Sequence, residues 1–203
     1  MITIQEYLLS KNKKTKTKTM IEANNDTIKD IVAHEIEQLG IEADLNHIDV
    51  SKVTDFRNVF RLKQFNGDIS EWDVSNAKMM DQMFQGCLGF NCDLGNWDVS
   101  NVVSMTKMFS LDTKFEGIGL ENWKLNPRIE FLDMMFAGCE KFNRDISGWK
   151  VTTYVRMISK MFMNCTSFEQ DLSSWEISRL SQHDAMFKGT PMAKKHKLQP
   201  KII

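Results

Sequence analysis

Residue types that could hold a metal, stack on a sugar or react as thiols recur in this chain at near-constant spacing. Asp68, Asp93, Asp145 and Asp171 each stand before an Ile or Leu. A ladder of carboxylates could take calcium, a hard cation that prefers oxygen ligands. One carboxylate per unit is too few for that, and an aspartate accepting backbone N–H bonds in a turn accounts for the column better. Cys87, Cys139 and Cys165 each follow the Phe of a Met-Phe pair by three residues, where other units have Asp112 and Thr190, while Cys92 stands alone. Zinc would want paired C-x-x-C spacing, which is lacking. A repeated small buried residue with a free thiol is the natural account, a disulfide or a metal being the alternatives. His34, His47, His183 and His196 are scattered, and no Gly-rich phosphate loop or Ser-His-Asp spacing accompanies them. Trp72, Trp97, Trp123, Trp149 and Trp175 invite a carbohydrate-stacking or aromatic-cage reading. In-register recurrence points instead to a core spine. The expectation is no catalytic residue, no cofactor and no metal.

These residues belong to one repeat. The tryptophans step by 25, 26, 26 and 26 residues. The Met-Phe closures end at Phe84, Phe109, Phe136, Phe162 and Phe187, and the phenylalanines that open the next unit fall at Phe65, Phe90, Phe115, Phe142 and Phe168. Three apolar columns sharing a period in the 20–50 residue range mean a solenoid or array. Residues 48–60 match the unit with Ile48 in place of Trp, giving about six units. Within a unit, D-I-S-E-W-D-V and D-L-G-N-W-D-V carry strand formers. Val102, Met105, Met108 and Phe109 fall at i, i+3, i+6 and i+7, which predicts two helical turns capped at Ser75-Asn76 and Ser100-Asn101. The third unit departs, with Gly119 for the recurrent Asp, Pro127 at the expected helix start and one inserted residue, and should bulge.

The fold expected is an α/β solenoid, a leucine-rich-repeat-like stack with an N-terminal helical cap. Residues 1–19 read as a basic peptide and linker, 20–47 as the helical cap, 48–190 as repeats and 191–203 as a loose basic tail. The cap helix is expected over residues 27–39, started by Thr27 with Asp30 and stopped by Gly40. Ile4, Tyr7 and Leu8 give the N-terminal peptide an apolar side that could dock on a partner. The 14 Met and 13 Phe lie mostly in the repeat columns. A net charge of −1 hides basic ends on an acidic body, which argues against nucleic acid on the repeat face. No apolar run reaches a membrane span of roughly 20 residues, and the order of apolar and basic residues at the start does not suit a secretory signal. Localisation in the cytoplasm or on a virion is expected rather than classical secretion.

F-N-G-D-I-S-E-W-D-V-S-N and F-N-R-D-I-S-G-W-K-V, with the M-x-x-M-F closures, resemble the repeats of BspA-like leucine-rich-repeat surface proteins and the related repeats of mycoplasma surface lipoproteins. The similarity covers roughly residues 44–190. It implies a leucine-rich-repeat-like solenoid with a role in adhesion or protein binding, and implies neither activity nor cofactor. From the residues at its start neither a signal peptide nor a lipobox cysteine is expected, a departure from what the resemblance implies. Its start, M-I-T-I-Q-E-Y-L-L-S-K, is similar to openings of small proteins of large tailed phages. Two functions are therefore expected: binding of a protein partner through the solenoid face, or a structural, decorating or packaged virion protein anchored by its N-terminal peptide. The contacts are expected at the solvent positions Glu71, Asn96, Glu121, Asn122, Gly148 and Ser174.

Overall fold

The computed structural model describes residues 19–203. Ile4, Tyr7 and Leu8 lie outside these residues. Regular elements are few: β1 (Ile21–Glu22), α1 (Ile28–Leu39), β2 (Ile48–Asp49), β3 (Glu176–Ile177), β4 (Lys201–Ile202) and three short 3-10 turns. β1 pairs in parallel with β2, and β3 with β4. Between these pairs, isolated parallel bridges join Asp55 to Met79, Met79 to Ser104, Ser104 to Phe131, Phe131 to Met157 and Met157 to Gln182. Each bridge steps one repeat along the sequence, so equivalent positions of successive units lie side by side.

The backbone achieves this without the helical turns predicted over residues 102–109. Alternate N–H groups are shared between two directions. Those of Met105, Lys107, Phe109 and Leu111 donate one unit onward, to the carbonyls of Phe131, Asp133, Met135 and Ala137. Those of Met108, Ser110 and Asp112 donate back three residues, to Met105, Lys107 and Phe109. A helix would claim every N–H within its own turn; here half are used between units. Lys107 and Leu111 take φ of 57° and 69°, which also rules out helix there. The predicted caps change role accordingly. Asp73 and Asp98 accept the N–H of Ser75 and Ser100, while Asn76 and Asn101 donate through Nδ2 to the carbonyls of Ser51 and Ser75 in the preceding unit.

The apolar columns meet inside the stack. Phe60, Phe84, Phe109, Phe136, Phe162 and Phe187 form a near-parallel pile with centroids 5.2–5.8 Å apart. Tryptophan neighbours lie wider, at 6.0–6.5 Å, whereas bridged backbones sit about 4.8 Å apart. The tryptophans are 0–3% exposed. The indole N–H of Trp72, Trp97, Trp123 and Trp149 donates to the carbonyl of Leu45, Ile69, Leu94 and Leu120 in the preceding unit, at 2.8–3.1 Å. Trp175 Nε1 is buried without an acceptor. Trp97→Phe should therefore cost about 1 kcal/mol more than Trp175→Phe, because only the first removes a buried indole–carbonyl hydrogen bond, the Ile69 carbonyl keeping the Trp72 N–H; urea unfolding of both variants checks this.

The two ends close differently. α1 buries Ile28, Ile31, Val32 and Glu35, with Glu35 bonded to His47 at 2.8 Å. Thr27 does not cap it through its side chain. Asn24 does, its Oδ1 accepting from the N–H of Asp26 and Thr27, while Thr27 Oγ1 accepts from Asn24 N–H. The reciprocal box thus starts three residues earlier than predicted. Gly40, at φ 92°, ends the helix as expected. At the other end, residues 191–203 are not loose: two 3-10 turns, Pro191–Lys194 and His196–Leu198, lead into β4. Lys201 and Ile203 donate to the carbonyls of Trp175 and Ile177, so this segment forms part of one more rung.

Candidate functional site

The segment just before each tryptophan carries the exposed polar side chains, and it is built by two hydrogen-bond devices. In the first, Asp44, Asp68, Asp93, Asp145 and Asp171 each accept the N–H two residues on, at 2.8–2.9 Å. These carboxylates are turn caps, as their spacing suggests. In the second, side-chain amides link units. Asn66 Oδ1 accepts from Asn91 N–H, Asn91 Oδ1 from Glu116 N–H, and Asn143 Oδ1 from Glu169 N–H, at 2.8–3.0 Å. The sequence carried a signal for this ladder, the recurrent Phe-Asn pairs at 65–66, 90–91 and 142–143, which column spacing alone leaves unassigned.

On this frame Glu71, Asn96, Asn122, Gly148 and Ser174 are all exposed, at matching positions of successive units, and Glu121 is exposed beside Asn122. Glu71 N–H is held by Asn46 Oδ1, and Ser174 Oγ donates to the Ser147 carbonyl. Two grooves open along the same segment. One of about 450 Å³ is lined by Glu42, Asn66, Asp68, Ser70, Asn91 and Asp93, with no cation among its walls. The other, of about 770 Å³, has both signs: Glu116, Glu121 and Asp145 against Lys141 and Arg144. Arg144 reaches Glu121 at 3.6 Å. The face thus runs from acidic near the N-terminal end to mixed from the third unit onward. The bulge expected in that unit is a local tightening, where Gly117 and Gly119, at φ 74° and 86°, precede the 3-10 turn Leu120–Asn122.

The turn hydrogen bonds set the electrostatics. The Ser70 N–H and hydroxyl hold the Asp68 carboxyl below the usual range, the Ser147 hydroxyl and N–H do so for Asp145, and the Ser173 N–H and hydroxyl for Asp171. A depressed folded value gives stability that is present above the ordinary aspartate value of about 3.9 and lost as pH falls through the lowered one. The urea midpoint should therefore drop on acidification below about pH 4, and Asp68→Asn, which keeps a turn acceptor, should flatten that drop. Asp112 has the opposite sign. Burial pushes its carboxyl up, against the N–H groups of Gly89, Phe90 and Lys114 that donate to it.

Burial also favours the neutral form of the thiols. Burial pushes Cys87 and Cys165 up to about 12 and Cys139 well above its usual value. Each Sγ donates to a carbonyl of the preceding unit: Phe65 for Cys87, Phe109 for Cys139 and Phe136 for Cys165. Half-buried Cys92 is raised to about 11, also chiefly by burial. All four are free. Among the described residues no three His, Cys, Asp or Glu side chains gather as a metal site, and no helix is long and apolar enough to cross a membrane. What the face offers a ligand is hydrogen bonds and charge on a rigid, periodic support.

The family described as "Mycoplasma protein of unknown function, DUF285" matches residues 26–131 and again 113–199. The chain belongs to the DUF285 family. The two matches span the cap helix, every tryptophan and the docked C-terminal 3-10 turns, so the stack described above is what the DUF285 pattern covers. No curated protein and no solved structure matches the chain.

Proposed function

We propose that this DUF285 chain is a leucine-rich-repeat-like solenoid that binds another protein, as BspA-like surface proteins are expected to, and performs no chemistry on it. The proposed contact face carries Glu71, Asn96, Glu121, Asn122, Gly148 and Ser174. One observation carries the reading. The residue just before each tryptophan is exposed and changes from Glu71 to Asn96, Asn122, Gly148 and Ser174, while the tryptophan after it is invariant and buried. Constant core columns beneath a changing exposed row are what an extended recognition surface needs. The grooves beside that row, one acidic and one of mixed charge, supply specificity through charge pattern rather than through a deep pocket.

The test places a photo-crosslinking residue at Asn96, at Ser174 or at Leu111, an exposed position in the far turn, and irradiates each chain in extract from its native source. The expected result is one protein captured from positions 96 and 174, competed away by unlabelled chain and absent from position 111. Equal capture from all three positions, or competition that fails, would remove the face from consideration.

A further inference from the structure

The two ends of the stack complement each other. β1 and β4 occupy its opposite ends: β1 pairs with β2, bridges step unit by unit from Asp55 to Gln182, and β4 pairs with β3, which makes eight rungs from β1 to β4. At a bridged spacing of about 4.8 Å the seven steps separate them by roughly 34 Å. Both strands run parallel to their neighbours, and among the described residues no strand pairs with the outer edge of either. An open strand edge is a template for pairing with another chain.

The C-terminal end is apolar at its centre and basic around it. Phe84, Phe109, Phe136 and Phe162 are each sandwiched between two phenylalanines of the same column, whereas Phe187 has such a neighbour, Phe162, on one side. Ile177, Met186, Phe187, Ala193, Pro200 and Ile202 line a pocket of about 450 Å³ at this end. His183, where the other units carry an apolar residue, also borders it. Residues 188–203 hold five lysines and no acid, a net charge of +5.

The N-terminal end is the reverse. Residues 19–50 hold eight carboxylates and one lysine, a net charge of −7. One of these carboxylates, Glu35, is internal and bonded to His47; the others leave a strong excess at the surface. Large apolar side chains also stand out here: Met20 is 60% exposed, Leu39 50% and Ile41 46%.

We propose that the C-terminal end of one copy docks on the N-terminal end of a second, head to tail, with Leu39 and Ile41 of the cap seated against Ile202 at the mouth of the C-terminal pocket and the lysines facing the cap carboxylates. Such a contact is heterologous: each copy keeps one free end, so association continues into a filament or closes into a ring. The arrangement does not rest on the binding face proposed above. It would set several such faces in a row and raise their joint avidity.

Sedimentation velocity of the 203-residue chain decides it, at roughly 20 and 300 mM salt and up to about 500 μM protein. Concentration-dependent association is expected at low salt, about tenfold weaker or more at high salt. Reversal at the basic end (Lys194→Glu, Lys197→Glu, Lys201→Glu) should leave a folded monomer by circular dichroism. Adding reversal at the acidic end (Asp30→Lys, Glu37→Lys, Glu42→Lys) should restore association. Deleting residues 1–18, whose net charge of +4 precedes the acidic segment in the sequence, should strengthen it. A chain that stays monomeric at the highest concentration and low salt overturns the proposal and leaves the C-terminal pocket to a different partner. Association that ignores salt, or survives the lysine reversals unchanged, overturns it equally.

Discussion

Gly119→Ala should lose about 3–5 kcal/mol of stability, among the largest effects available to a single methyl group in this chain. Gly119 sits at φ 86°, where an L side chain is strained. A Cβ there would also lie 2.2 Å from Gly95 N and 2.3 Å from Asp93 Oδ1. Neither neighbour can retreat cheaply. Gly95 N–H is bonded to Asp93 Oδ1 at 2.8 Å, and Leu94 N–H is bonded across the units to the Ile118 carbonyl at 3.1 Å. The third unit therefore abandons the recurrent aspartate because two backbones meet at that point. Gly148→Ala is the control: no heavy atom lies within 4 Å of its would-be Cβ, so a change within about 0.5 kcal/mol is expected. Urea unfolding followed by the fluorescence of the buried tryptophans compares the two.

Phe109→Ala should cost about 3–5 kcal/mol. Its ring lies 5.5 Å from Phe84, 5.8 Å from Phe136 and 4.1 Å from Phe115, all near-parallel. Truncation opens a cavity between three units whose backbones are tied together, so the walls cannot collapse into it. Phe187→Ala should cost clearly less. Phe187 is stacked in its column against Phe162 and is already 8% exposed at the open end. A stability loss at Phe187 equal to that at Phe109 would mean that the column does not carry the core. Unfolding of the two variants under identical conditions checks the ranking.

The period, the core columns and the turn role of the aspartates were legible because each is a pattern of residue type at fixed spacing. Trp97 and Phe109 are buried where their recurrence puts them, and Asp68 accepts from Ser70 as a turn aspartate should. The helical turns over residues 102–109 were misread for a physical reason. Apolar residues at i, i+3, i+6 and i+7 suit one face of a helix and equally suit a chain of tight turns whose alternate N–H groups bond the next unit. Nothing local separates the two; the deciding bonds, such as Met105 N–H to the Phe131 carbonyl, span a whole repeat. The cap was misplaced by three residues because Asn24 and Thr27 are both good caps, and the mutual bond between them selects the earlier one. The C-terminal segment looked loose from its lysines. Its backbone, rather than its side chains, is what docks, through the Leu198 carbonyl to Leu172 N–H and through β4 to β3. On the candidate face, exposure of Asn96 and Ser174 followed from the alternation beside each tryptophan, while the grooves depend on how neighbouring units are spaced and were not visible in one dimension.

The most direct measurement is the affinity of the crosslinked partner for three chains: the unmodified one, a face variant (Glu71→Arg, Asn96→Arg, Asn122→Arg) and a far-turn variant (Leu111→Asp). With recognition on the face and the core columns purely structural, the face variant keeps its melting temperature and binds at least about tenfold more weakly, a loss of about 1.4 kcal/mol or more. The far-turn variant then binds as the unmodified chain does. Equal affinity of the face variant and the unmodified chain, at unchanged melting temperature, would contradict the account.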